Sequence, residues 1–185
     1  MLSYLQLLEV HFPPPTPNSK EVTVDFSIFN LTQPPPADLV GLFEVYGPGK
    51  FCCGQGDGIE LIPTFAENPQ FLAFAASNWL QVLDSGCPIG GYFTIPRSFF
   101  EVENNKPPPN LILWGHSDNG VQLMSLWLSP ELGWCVLLMP DAFNSIRCFF
   151  KSPAAVVWEA FFGSAQRDIF PASEGPYHFE GPVRV

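Results

Sequence analysis

The stretch Trp114-Gly115-His116-Ser117-Asp118-Asn119-Gly120 decides the fold, lying as it does between two apolar runs, Leu111 to Leu113 and Val121 to Leu128. Asp-Asn and Asn-Gly steps tolerate a positive φ, so apolar segments on either side of them predict strand, tight turn, strand. The motif supplies no nucleophile–base pair and no set of metal ligands. It therefore speaks to fold and lineage before it speaks to chemistry.

Working outward, Ile59 to Ile62, Tyr92 to Ile95, Trp134 to Met139 and Ile146 to Phe150 are short apolar runs that predict further strands. Pro107 to Pro109, like Pro13 to Pro15 and Pro34 to Pro36, forbids a continuing helix or central strand and marks a boundary. The connections are short enough for an antiparallel meander. Val22, Val24, Phe26 and Ile28 alternate with polar residues, which taken alone suggests another strand. Phe51 to Gly58 is Gly-rich and predicts an irregular turn. It lacks the Lys-Ser/Thr of a phosphate loop.

Helices are expected over residues 2–10, over Ala37 to Tyr46, and from Pro69 to Leu83. Leu39, Leu42, Phe43 and Tyr46 follow i, i+3, i+4, i+7 spacing behind Pro36, and Gly47 supplies the stop. Ser152-Pro153 is an N-cap with a first-turn proline, opening a last helix that ends at Gly163. The tail from Asp168 onward is expected as an extended segment lying back on the body. Helices, a run of strands and then a helix predict a single α+β domain. Its mostly antiparallel sheet has about five to six strands flanked by helices. Residues 1–35 form an N-terminal helix and connector of that domain, and 36–185 its core.

Of 185 residues, 46% are hydrophobic and only 14% charged, which marks a globular chain with a large core. The formal net charge is −10, so the surface repels phosphate backbones and argues against nucleic acid as a partner. No run of about 18 apolar residues is present, which argues against a membrane span. Five cysteines without regular spacing argue against a secreted disulfide framework and point to a reducing, cytoplasmic setting. Cys135 and Cys148 are expected as buried thiols. The Cys52-Cys53 pair has no histidine close in sequence, so no metal site is expected, and no cofactor either.

Three histidines, His11, His116 and His178, are widely separated. His116 beside Asp118, with Cys135 or Ser117 as nucleophile, is the only combination that invites a hydrolase reading. No G-x-S-x-G elbow accompanies it. Asp38 and Glu44 are expected as solvated charges on their helix. The five tryptophans, Trp134 among them, lie mostly in apolar runs, so core packing is the default for them, with one or two exposed as binding anchors the alternative. Asp57, Glu60, Glu101 and Glu103 are candidates for partner contact by charge alone.

Taken in order, two motifs resemble those of the SMI1/KNR4-like (SUKH) superfamily. Pro36-Ala37-Asp38-Leu39 followed by Tyr46-Gly47-Pro48-Gly49-Lys50-Phe51 is similar to its "LPaDy…YGxGxF" element. Trp114-Gly115-His116-Ser117-Asp118-Asn119-Gly120 is similar to its "WGxSDNGD" strand–turn–strand. Trp134 and the helix Val156 to Phe162 follow in the expected order. The chain departs at Val121, where relatives carry an acid, and near Val24 to Leu31, where their N-terminal helix bears a tryptophan; that stretch is a helix if the resemblance holds. The resemblance implies an α+β domain that binds rather than catalyses. It implies an immunity protein occluding a cognate toxin, with a basic nuclease domain as the partner that the acidic charge suits. A regulatory interaction domain of the same fold, without a toxin partner, is the second reading, and the hydrolase the third.

Overall fold

Seven strands form one antiparallel sheet in the computed structural model, which describes residues 2–15, 24–54, 58–62, 109–139, 146–163, 170 and 175–181. The strands are β1 (Gly49–Cys53), β2 (Ile59–Leu61), β3 (Leu111–Ser117), β4 (Gln122–Ser129), β5 (Gly133–Met139), β6 (Arg147–Phe149) and β7 (Tyr177–Glu180). Their spatial order is β6-β5-β4-β3-β2-β1-β7. From β3 to β6 the strands run as the expected meander, β2 and β1 extend it on the other side of β3, and β7 returns from the tail to pair with β1. Helices α1 (Tyr4–His11), α2 (Ala37–Tyr46) and α3 (Pro153–Phe162) complete an α+β arrangement.

Helices α1 and α3 begin where their sequence provides for the free N–H groups, whereas α2 starts behind Pro36 with no side-chain cap. Ser3 and Gln6 form a reciprocal capping box on α1, and Ser152 caps α3 ahead of Pro153. Gly47 ends α2 at φ 66°, a conformation that disfavours any side chain with a Cβ. Asp38 was expected to be solvated, but its Oδ2 accepts the Ala154 N–H at 3.2 Å in the first turn of α3. A carboxylate at a helix N-terminus satisfies a free donor and complements the dipole, contributing about 0.5–2 kcal/mol. Asp38 thus ties α2 to α3 and is not merely a solubilising charge.

The helices cover the inner face of the β1–β7 end. Phe12 packs on Phe51, Phe161 and Tyr177, and Tyr46 on Phe51 and Phe179, with ring centroids 4.7–5.5 Å apart. The Tyr46 hydroxyl donates to the Phe12 carbonyl at 3.0 Å. Burial, with Glu9 nearby, raises its pKa, so it stays protonated and holds α1 against α2. In β5, Leu137 and Leu138 point to opposite faces and both are fully buried. The middle of the sheet is therefore dry on both sides.

Two expectations are corrected. From Val24 to Ile28 the alternation does not make a strand: the Asp25 carboxylate accepts the Ser27 N–H at 2.8 Å and sets a 3-10 turn over Phe26–Ile28. A local side-chain bond has outcompeted the β pattern, while Val22 lies outside the described residues. Phe51 to Gly58 is not irregular from its start, because β1 continues through Cys53 with β2 on one side and β7 on the other. Pairing from both flanks supplies order that the local sequence does not. The sheet thus has one strand more than the upper expectation. The helix expected over Pro69 to Leu83 and the strand over Tyr92 to Ile95 lie outside the described residues.

Candidate interaction face

The Trp114 to Gly120 motif closes the β3–β4 hairpin. Ser117 and Val121 face each other across it, with the Ser117 N–H donating to the Val121 carbonyl at 2.9 Å and the Gly120 N–H to the Ser117 carbonyl at 2.9 Å. Gly120 sits at φ 81°, the left-handed residue that ends a three-residue hairpin loop. The Ser117 hydroxyl donates to Asn119 Oδ1 and accepts the Val121 N–H, so the polar side chains are consumed in holding the turn. Val121 is 2% exposed, which accounts for an apolar residue where the resembling family has an acid.

At its other end the motif carries a register shift. Leu113 pairs with Met124 and Gly115 with Leu123, leaving Trp114 as the extra residue of a β-bulge. The bulge keeps the Trp114 ring in the core at 1% exposure, where its Nε1–H donates to the fully buried Ser125 hydroxyl at 3.1 Å. Gly115 is required by contact rather than by conformation, since a Cβ there would stand 2.7 Å from the Glu60 carbonyl oxygen of β2. The motif therefore sets the register of three strands.

Asp118 joins this turn to the second motif. Its Oδ2 lies 2.5 Å from Lys50 Nζ and accepts the Gly58 N–H at 3.0 Å. Burial pushes the Asp118 carboxyl upward, but the bonds from Lys50 and Gly58 outweigh it and leave the carboxyl below its usual range. Lys50 is raised in turn, chiefly by its hydrogen bond to Asp118.

Alternation along β1, β2 and β7 places Lys50, Cys52, Glu60, His178 and Glu180 on the face opposite Phe51, Leu61 and Phe179. On β3, His116 is the cross-strand partner of Glu60, its Nε2 3.5 Å from Glu60 Oε2. The outer face at this end of the sheet is thus a half-exposed field of three carboxylates, two imidazoles and one ammonium around the buried Cys52 thiol. Of the candidates chosen by charge, Glu60 belongs to it, while Asp57, Glu101 and Glu103 lie outside the described residues.

The remaining motif residues are brought together elsewhere. Pro36, Asp38 and Trp134 line a cleft of about 280 Å³ with Ser152 and Pro153 at the start of α3. The Trp134 Nε1–H donates to the Pro34 carbonyl at 3.0 Å, and its ring meets Trp127 edge-on. Trp127, Trp134 and Trp158 are only partly buried, so of the four described tryptophans Trp114 alone is fully inside. Tyr46, Gly47, Gly49 and Phe51 are structural, Gly49 because a Cβ would lie 2.3 Å from the Glu180 carbonyl oxygen.

The hydrolase constellation is not assembled. Asp118 is held by Lys50 and Gly58, His116 stands against Glu60, and the Ser117 hydroxyl is engaged in the turn. Cys135 is buried in β5 with its thiol pushed up by a hydrogen bond to Cys148 and by burial. Cys148, expected inside, is partly buried on β6 and packs against the core. The sheet does supply what the sequence around Cys52 did not, a histidine: His178 is its direct partner across β1 and β7. Register of this kind leaves no trace in a sequence where the two residues are far apart.

Comparison of the chain with protein-family models, with curated proteins and with solved structures finds no match.

Proposed function

We propose that this chain is a non-enzymatic binding protein of the SMI1/KNR4-like type, an immunity protein that neutralises a basic toxin domain by covering it. The observation that carries the reading is Asp118. It lies in one of the two resembling motifs, and it is bonded to Lys50 of the other and to the Gly58 amide. The two motifs thus meet as one structural unit. The outer face they build is dominated by Glu60, Asp118 and Glu180, with the Lys50 charge balanced by Asp118.

A net charge of −10 would accelerate encounter with a cationic surface and oppose a nucleic-acid substrate for the same site. Among the described residues no helix is long and apolar enough to cross a membrane.

The test is to purify the protein with its bound partner from its native host, identify that partner, and titrate the partner's activity. Stoichiometric inhibition that slows with added salt, and an association rate cut about tenfold or more by Glu60→Lys, would support the reading. A partner with an acidic or neutral contact face removes it. A bound protein without toxic activity would move the chain to the regulatory alternative, and hydrolysis abolished by His116→Ala in a folded variant would move it to the enzymatic one.

A further inference from the structure

On the outer face, Cys52 and His178, which the interaction reading does not use, form a cluster with Glu180, which it does. Cys52 and His178 are direct cross-strand partners, and Glu180 is two residues beyond His178 on the same face of β7. One donor atom from each, the Cys52 Sγ, an imidazole nitrogen and a carboxylate oxygen, lies within 4.8 Å of the other two. We propose that these three residues form a binding site for a divalent transition cation of the zinc class, clamping the edge strand β7 to β1.

Donor chemistry selects the cation. A sulfur, a nitrogen and an oxygen suit zinc or cobalt(II), whereas calcium and magnesium demand oxygen alone. Around zinc, donors at about 2.0–2.3 Å stand about 3.5 Å apart, so the widest pair here has to close by no more than roughly 1 Å. His178 and Glu180 have that freedom, with side chains 44% and 57% exposed, while Cys52 is anchored in the strand.

The surroundings are also those of a ligating histidine. Nε2 of His178 already faces Glu180 Oε1 at 3.0 Å, and Nδ1 is 3.5 Å from the Pro176 carbonyl. Without a cation the Nε2–H donates to Glu180; once a cation sits between them, the proton moves to Nδ1, which faces the Pro176 carbonyl, and Nε2 presents its lone pair to the site, the backbone-oriented arrangement usual for metal-bound imidazole. The nearest obstacle would be Lys50, the cross-strand partner of Glu180, but its ammonium is engaged by Asp118.

Three protein ligands leave a fourth position open to water. Burial, and then Glu180, push the Cys52 thiol up to about 11, so near neutral pH it carries its proton before metal arrives. On binding, the S–H bond breaks, the sulfur electron pair goes to the cation, and one proton passes to solvent.

The experiment is a titration of the full chain with cobalt(II), followed by competition with zinc. One equivalent of cobalt should generate a thiolate-to-metal charge-transfer band, one proton should be released per cation, and zinc should abolish the band. Cys52→Ser should eliminate it. His178→Gln, a surface change that leaves the core untouched, should weaken binding at least about tenfold, as even outer-sphere partners of metals do. No band in the native chain overturns the proposal. So does a band that survives in Cys52→Ser, or an affinity unchanged in His178→Gln. None of these outcomes depends on whether a toxin partner exists.

Discussion

Replacing Ser125 by Ala tests the idea that the Trp114 bulge holds the register of the sheet. The Ser125 hydroxyl is fully buried and the indole N–H of Trp114, 3.1 Å away, is 1% exposed. Removing the acceptor leaves that N–H in a dry core with no partner. The cost of such an unpaired buried donor is about 1–3 kcal/mol, far more than the small apolar gain from alanine. For a chain of this size the melting temperature should fall by about 2–12 °C. Trp114→Phe removes the donor instead and adds a cavity, so alone it should cost about 2–4 kcal/mol.

The decisive quantity is the coupling between the two. With the phenylalanine in place there is no orphaned N–H, so Ser125→Ala should then cost little. The double-mutant cycle should show a coupling of about 1–2 kcal/mol, measured by urea unfolding followed by circular dichroism. Additive effects within about 0.3 kcal/mol would refute the account, since the hydroxyl and the indole would then be energetically independent.

Two further outcomes follow from the same corner of the fold. Gly115→Ala places a Cβ 2.7 Å from the Glu60 carbonyl, so β2 and β3 must separate, and a loss of about 1–3 kcal/mol in chemical denaturation is expected; unchanged stability would show that β2 does not approach as described. Asp118→Asn should cost about 0.5–1 kcal/mol at neutral pH, the scale of a half-exposed ion pair. Because the folded Asp118 carboxyl is lowered, its contribution is present above the unfolded value of about 4 and lost as pH falls through the folded one. The native protein and the Asp118→Asn variant should thus converge in stability only in acid, and a gap that persists into strong acid would contradict the ion pair.

What the sequence made legible was whatever is encoded within a few residues. The hairpin at Trp114 to Gly120, the helix from Ala37 stopped by Gly47, the capped helix at Pro153, and the meander from Leu111 onward all rest on local signals: positive-φ steps, caps and short links. What stayed hidden depends on partners far along the chain. β1 could not be separated from its Gly-rich surroundings because its order comes from β2 and β7, and Asp38 looked solvated because the amide it accepts belongs to Ala154. The same reason governs the outer face. Glu60 was selected by charge alone, whereas its pairing with His116, the bond of Asp118 to Lys50 and the meeting of Cys52 with His178 are consequences of strand register. Register is fixed by the inward residues, because a slip of one position would turn Phe51, Leu61 and Phe179 out to solvent. The chemistry available on the outside of this sheet is therefore decided by packing on the inside, and a substitution at Trp114 that loosens the core should disturb the surface cluster from the opposite face of the sheet.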